Sequence, residues 1–254
     1  MSPAARTATA PRVVTAPTAE VGDVAADVVA AFIRREPTGV LGVATGGSPL
    51  DLYSALARRR AAGLDTSGLT LVALDEYVGL SAADVRSYRA YVQTLIAEPL
   101  GIPAGRVHVP SGADADDAAA YEATIDSVGG VDLQIIGIGR NGHIGFNEPG
   151  SELDSRTRVI ELTESTRQAN APWFDDDPTA VPTHAMTQGI GTILDARALV
   201  LVATGAAKAP ALAAALSGPV TTDLPASVIQ RHPDVTVVAD PDALSGAWRT
   251  APTA

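Results

Sequence analysis

The sequence predicts an α/β fold: an open, mostly parallel, doubly wound sheet with helices on both faces. Three observations carry it. Five short apolar runs, nearly unbroken and rich in β-branched residues, recur along the chain, as in strands buried on both faces. Amphipathic or alanine-rich stretches lie between them, and strand alternating with helix implies right-handed crossovers covering both faces of one sheet. Four of the five runs end in residues suited to chemistry, and ligands of such sheets bind at the carboxyl ends of the strands.

Residues 1–20 hold two arginines and no acid before Glu20. They lack the apolar core of a secretory signal, and their Ala, Thr and Pro content predicts a flexible tail, leaving one domain over residues 21–254. Helical patterning at 21–35 precedes the first strand, VLGVA (40–44). A helix at 50–60 leads to LTLVAL (69–74), and helices at 87–95 and 116–127 lead to VDLQIIG (131–137). ALVLVAT (198–204), a helix at 208–216 and VTVVA (235–239) complete the order. The longest irregular interior stretch, PWFDDDPTAVPTH (172–184), reads equally as a mobile lid and as a solvated connection.

Composition narrows the function. The 254 residues carry a formal net charge of −11 with no block of positive charge, which argues against nucleic acid and anionic membranes as partners. No apolar run approaches the roughly 20 residues of a membrane span. The absence of cysteine excludes disulfides and thiol-based metal or redox chemistry. A cytoplasmic protein acting on a small molecule is expected. Of the 18 basic residues 17 are arginine, and Lys208 is the only lysine, so its position must say whether that is chance.

The first strand runs into TGGSPLDLY. Gly46 and Gly47 permit a tight turn, Ser48 is a suitable helix cap and Pro49 suits a first turn. Free amides at a helix start attract phosphate, so Thr45, Gly46, Gly47 and Ser48 form either an anion site or simply a well-capped turn. The second strand runs into DEYVGL. Asp75 and Glu76, directly after a buried strand, need partners or a cleft. Adjacent side chains point differently, so one can do chemistry while the other holds structure; a cap or salt bridge is the plain alternative.

The third strand runs into GIGRNGHIGFNEPGS (137–151). Gly137, Gly139 and Gly142 satisfy the spacing of a dinucleotide fingerprint, but that motif needs a helix at once, and Gly145, Pro149 and Gly150 would break one. What remains is a glycine-hinged loop presenting Asn141, His143 and Glu148. Imidazole suits proton transfer near neutral pH, and a carboxylate can orient it and support its charged form; the alternative is a histidine held by a loop carbonyl. No metal-ligand spacing such as H-E-x-x-H occurs. The fourth strand ends at TGAAKAPAL, where Lys208 enters a helix's first turn. A cation there opposes the macrodipole unless an anion binds, which points Lys208 toward phosphate.

Together these stations resemble the glucosamine-6-phosphate deaminase family, also called the glucosamine-6-phosphate isomerases. The likeness runs from about residue 40 to 240 through TGGSPLDLY, LDEYVGL, SYRAYV, GIGRNGHIGFNEPGS, SRTRVIELTESTRQAN, HAMTQGIGTILDA, GAAKA and PASVIQRHPDVTVVAD. The related 6-phosphogluconolactonases typically read Asp-Glu-Arg at 75–77 and Gly-His-Thr-Ala-Ser-Leu-Phe-Pro at 142–149, so this chain falls on the deaminase side. The resemblance implies a Rossmann-like sheet, no cofactor, no metal, and conversion of glucosamine 6-phosphate and water to fructose 6-phosphate and ammonia. It also implies roles: His143, with Asn141 and Glu148, opens the pyranose ring; Asp75 moves the C2 proton to C1; residues 45–48 and Lys208 hold the phosphate. The rivals are a deaminase of another amino sugar such as galactosamine 6-phosphate, a lactonase, and a non-catalytic sugar-phosphate sensor.

The chain departs from that family at Pro172. Members usually carry an arginine for the phosphate in N-A-R-F-F, where this chain reads NAPWF, and Arg167 is one candidate to replace it. Allosteric members use a basic pair, of which Arg158 is present and the second position is Ile160. The chain also ends soon after its last predicted strand, so allosteric activation is not expected. The sequence leaves monomer and homo-oligomer both open.

Overall fold

The computed structural model describes residues 9–81 and 83–246. The first elements are β1 (Arg12–Thr15), α1 (Val21–Arg35), β2 (Val40–Val43), α2 (Leu50–Ala61), β3 (Thr70–Ala73) and β4 (Asp75–Tyr77). A short α3 (Tyr88–Tyr91) continues through a π-helical stretch, Val92–Ala97, into α4 (Glu98–Leu100). Next come β5 (Val107–His108), α5 (Ala115–Ser127), β6 (Leu133–Gly137), β7 (Arg158–Glu161) and α6 (Glu164–Asn170). The chain closes with β8 (His184–Thr187), α7 (Ile190–Leu194), β9 (Ala198–Ala203), α8 (Ala209–Ser217) and β10 (Val235–Ala239).

The five predicted runs are β2, β3, β6, β9 and β10. They sit inside a parallel sheet of order β1-β10-β9-β6-β2-β3-β5. Successive side chains go to opposite faces. Leu41, Val43, Leu71 and Ile135 join the buried stripe of α1 (Ala25, Val29, Ile33) and Leu52 and Leu56 of α2 in one core. Val40, Val72, Leu74, Ile136 and Leu201 join residues of α5, α7 and α8 in the other. Both faces are covered, which is why the strand sequences are apolar without alternation. Among the described residues no helix is long and apolar enough to cross a membrane.

Residues 12–20 are not the tail that was expected. β1 pairs with β10, Arg12 opposite Thr236 and Thr15 opposite Ala239, and Thr18–Glu20 form a 3-10 turn leading into α1. Val13 and Val14 suit an edge strand, and the strand is too short and too exposed to show the apolar run of a central one. Residues 1–8 of the expected tail lie outside the described residues.

A second sheet, antiparallel and of order β4-β8-β7, was not predicted. β3 passes into β4 through Leu74 alone. The Leu74 N–H donates to Val43 O at 3.0 Å in the large sheet, and its carbonyl accepts from Gln188 N at 2.8 Å, just past β8. One peptide chain thus leaves one sheet and enters the other immediately before Asp75. The irregular stretch 172–184 is anchored rather than free: Phe174 and Val181 are buried with Tyr77, Phe146 and Leu162 under the small sheet.

Candidate active site

From β2 the chain proceeds outward through β3 to β5, and from β6 outward through β9 to β10. Loops leaving β2 and β6 therefore diverge, and a crevice opens between them at the strands' carboxyl ends. It is a cavity of about 590 Å³. The nine residues expected to act on or hold the substrate all line it: Thr45, Gly46, Gly47, Ser48, Asp75, Asn141, His143, Glu148 and Lys208.

Asp75 is buried, and its Oδ1 has no hydrogen-bond partner. Burial, and secondarily the charge of Glu76, push its carboxyl up to about 8. Gly145, left-handed at φ 56°, passes beside it; a Cβ there would stand 3.3 Å from Asp75 Oδ2. Glu76 faces the other way, as strand alternation requires. It accepts backbone N–H groups from Tyr77 (2.8 Å), Tyr88 (2.9 Å) and Arg89 (2.7 Å), the last two at the start of α3. Of the two adjacent acids, one is thus committed to structure and the other is open to the cavity.

The 137–151 loop contains no helix, so the glycine spacing is not a dinucleotide fingerprint. Asn141 Nδ2 donates to Glu148 Oε2 at 2.6 Å, and Asn141 Oδ1 lies 2.7 Å from His143 Nδ1. An ionised carboxylate only accepts, so the amide nitrogen faces Glu148 and the amide oxygen faces the ring. Nδ1 must then carry hydrogen, and Nε2 is the atom left for substrate. Burial raises the Glu148 carboxyl, but its contacts with His143, the Thr166 hydroxyl and Asn141 outweigh this and hold it at about 2. Glu148 Oε1 stands 3.7 Å from Nδ1, placed to support a charged imidazole. Gly139 is the floor beneath the ring: a Cβ there would come within 2.3 Å of it.

Residues 45–48 leave β2 as a bare turn, with Gly46 at φ 89° and no atom within 4 Å of where a Cβ at Gly46 or Gly47 would stand. Tyr91 Oη donates to Gly46 O at 2.8 Å and steadies the turn. Ser48 does not cap α2 as its position had implied. Pro49 is the N-cap residue and no side chain caps the helix, so the Ser48 hydroxyl is left to the cavity. Lys208 ends a 3-10 turn, Ala206–Lys208, and is the N-cap residue of α8. Burial, and then the charge of Arg140, lower its pKa.

Arg140, Tyr88, Ser165, Thr166 and Asn170 also line the cavity and were missed. The α6 residues lay within a quoted motif, but nothing in their types distinguished them. Arg140 was hidden between Gly139 and Asn141. Arg167, the expected substitute for an arginine at 172, does not line the cavity; its guanidinium donates to Pro178 O at 2.9 Å. Among the described residues no group of three or more His, Asp or Glu is placed to hold a metal ion.

A family model described as glucosamine-6-phosphate isomerases/6-phosphogluconolactonase matches residues 15–238. The chain belongs to this family. Among curated members of the glucosamine-6-phosphate isomerase/6-phosphogluconolactonase family, it is similar to glucosamine-6-phosphate deaminases of Arthrobacter sp. (51% identical; 89% of this chain and 88% of the relative) and Cutibacterium acnes (53%; 89% and 87%). A solved structure described as a monomeric glucosamine-6-phosphate deaminase superposes with a TM-score of 0.88 at 42% identity, covering 92% of this chain and 99% of the other. A 6-phosphogluconolactonase from Trypanosoma cruzi shares the fold, with a TM-score of 0.74 at 21% identity, covering 95% and 98%.

Proposed function

We propose that this chain converts glucosamine 6-phosphate and water to fructose 6-phosphate and ammonia. The observation that carries the reading is the pairing, in one cavity, of a buried unpartnered carboxyl (Asp75) with an imidazole whose Nδ1 is fixed by Asn141. Aldose–ketose chemistry needs both. Ring opening takes a proton from the C1 hydroxyl and delivers one to the ring oxygen, a transfer suited to His143 Nε2 with Glu148 supporting the charged ring. The C1 aldehyde then acidifies the C2 hydrogen. Asp75 takes that proton and returns it to C1, leaving an imine at C2; water adds there and ammonia leaves. A carboxyl tuned to about 8 is a far stronger base than an ordinary one and remains ionisable near neutral pH.

The reading uses residues of a single chain, requires no cofactor, and goes with a cytoplasmic location, where sugar phosphates are kept. Relatives near 50% identity are named for this activity, and Asp75-Glu76-Tyr77 stands where the lactonases typically read Asp-Glu-Arg. The test is ammonia release from glucosamine 6-phosphate, galactosamine 6-phosphate and glucosamine, with C2 hydrogen exchange followed in deuterated water. Release from the first, with exchange, is expected; lactone hydrolysis without ammonia would overturn the reading.

A further inference from the structure

We propose that Arg140 is a phosphate-binding residue of this cavity, closing together with Lys208 on the anionic group of the substrate. The inference rests on the reading of the site as one for a sugar phosphate. Arg140 leaves the loop after β6 and Lys208 the turn after β9, yet both line one cavity, and the charge of Arg140 is felt at Lys208. Like charges brought together in a half-buried place repel, and a bound anion reverses the sign of that interaction.

Several arginines of this acidic chain are matched with acids, while others, such as Arg60 and Arg89, donate to backbone carbonyls. Arg58 and Arg59 hold Asp23, Arg86 holds Asp84, Arg156 holds Glu122 and Asp195, and Arg197 holds Asp132. Arg140 and Lys208 bond no carboxylate among the described residues. Lys208 offers a point charge and the 45–48 turn offers backbone amides. What they lack is a planar fork of parallel N–H groups matched to two phosphate oxygens, which only a guanidinium supplies. Pro172 cannot supply it, and Arg167 is held at Pro178. Among the described residues Arg140 is the one arginine lining the cavity. It is exposed, free to close, and separated by one peptide bond from Asn141, so the grip on the anion and the orientation of His143 belong to one loop.

Arg140→Ala and Arg140→Lys are compared with the unaltered protein by steady-state ammonia release from glucosamine 6-phosphate and by calorimetric titration with inorganic phosphate. Loss of a charge-assisted contact at an exposed position should raise KM about tenfold and weaken phosphate by a similar factor. kcat should fall by less than KM rises, and Lys should recover part of the loss. Arg140→Gln, of similar length, serves as a second neutral variant and must show the same deficit. The assignment is overturned if KM and phosphate affinity are unchanged in the neutral variants, or if the unaltered protein binds no phosphate. It is also overturned if kcat alone falls, which would make Arg140 a prop for Asn141 and His143. A protein that releases no ammonia yet binds phosphate through Arg140 keeps the anion site and loses the deaminase reading. One that releases ammonia with KM indifferent to Arg140 does the reverse.

Discussion

Asp75 and Glu76 are neighbours in the chain and opposites in surroundings: Asp75 Oδ1 is buried without a partner, whereas Glu76 accepts three backbone amides. The unpartnered acid keeps its proton to about pH 8. A base must be ionised to act, so kcat/KM should climb with pH and level off near that value. Bound substrate brings its C2 ammonium close, which favours the carboxylate, so the rise in kcat should fall at lower pH than the rise in kcat/KM. Rate profiles from about pH 6 to pH 9.5 measure both. Coincident limbs below pH 6 would remove Asp75 as the base.

The same carboxyl makes stability depend on pH. In the unfolded chain it ionises near 3.8, and in the folded protein at about 8. Between these values unfolding releases a proton, so this group's contribution to stability declines as pH rises and levels off above about 8. Asp75→Asn should abolish that decline, bringing denaturation midpoints at about pH 5.5 and pH 8 closer together than in the parent. It should also lower turnover at least roughly a hundredfold, the lower bound for positioned acid–base catalysis. An undiminished slope in the variant would place the linked proton on another group.

Gly139→Ala should behave as a histidine variant. The added methyl would meet the His143 ring at 2.3 Å and drive it from Asn141. Its turnover should approach that of His143→Gln, and both should be less impaired than Asp75→Asn, because ring opening in solution can feed the later steps. Measurement of all three at saturating substrate decides. A Gly139→Ala protein with parental turnover would show that the ring tolerates displacement.

Pro172→Arg should act according to what Arg140 already supplies. In the parent a second guanidinium adds little, and KM should shift by no more than about twofold. In Arg140→Ala the same substitution should recover much of the lost affinity. A double-mutant cycle on KM should therefore be non-additive. Strict additivity would mean that the two positions serve different groups on the substrate.

Lys208→Met should raise KM by roughly ten- to a hundredfold, the value of a charge-assisted hydrogen bond, with thermal stability little altered, since no protein partner is lost. Parental KM would leave this lysine without a role in binding.

The central sheet was legible because β2, β3, β6, β9 and β10 are covered on both faces and so write themselves as continuous apolar runs. The small sheet was not. β7 (RVIE) and β8 (HAMT) are four-residue strands mixing charged, polar and apolar residues, and β4 is made of the very acids that drew attention as chemistry. At the site, glycine, imidazole and carboxylate at strand ends signalled Asp75, His143 and Glu148. Which of Asp75 and Glu76 is tied to structure was legible only through the resemblance, because it depends on which backbone amides reach Glu76 across a turn to α3. Arg140 was invisible for a similar reason. Its significance lies in standing on the same cavity as Lys208, and the sequence does not say which loops meet there.

Lys208 carries the protein's only side-chain amine. Burial and Arg140 lower its pKa, leaving more of it unprotonated at neutral pH and thus nucleophilic. An amine-selective acylating reagent has no other side chain to find. Apart from the α-amino group, the chain therefore carries a built-in chemical address: one side-chain label, at one wall of one cavity, whose rate of attachment registers whether that cavity is filled.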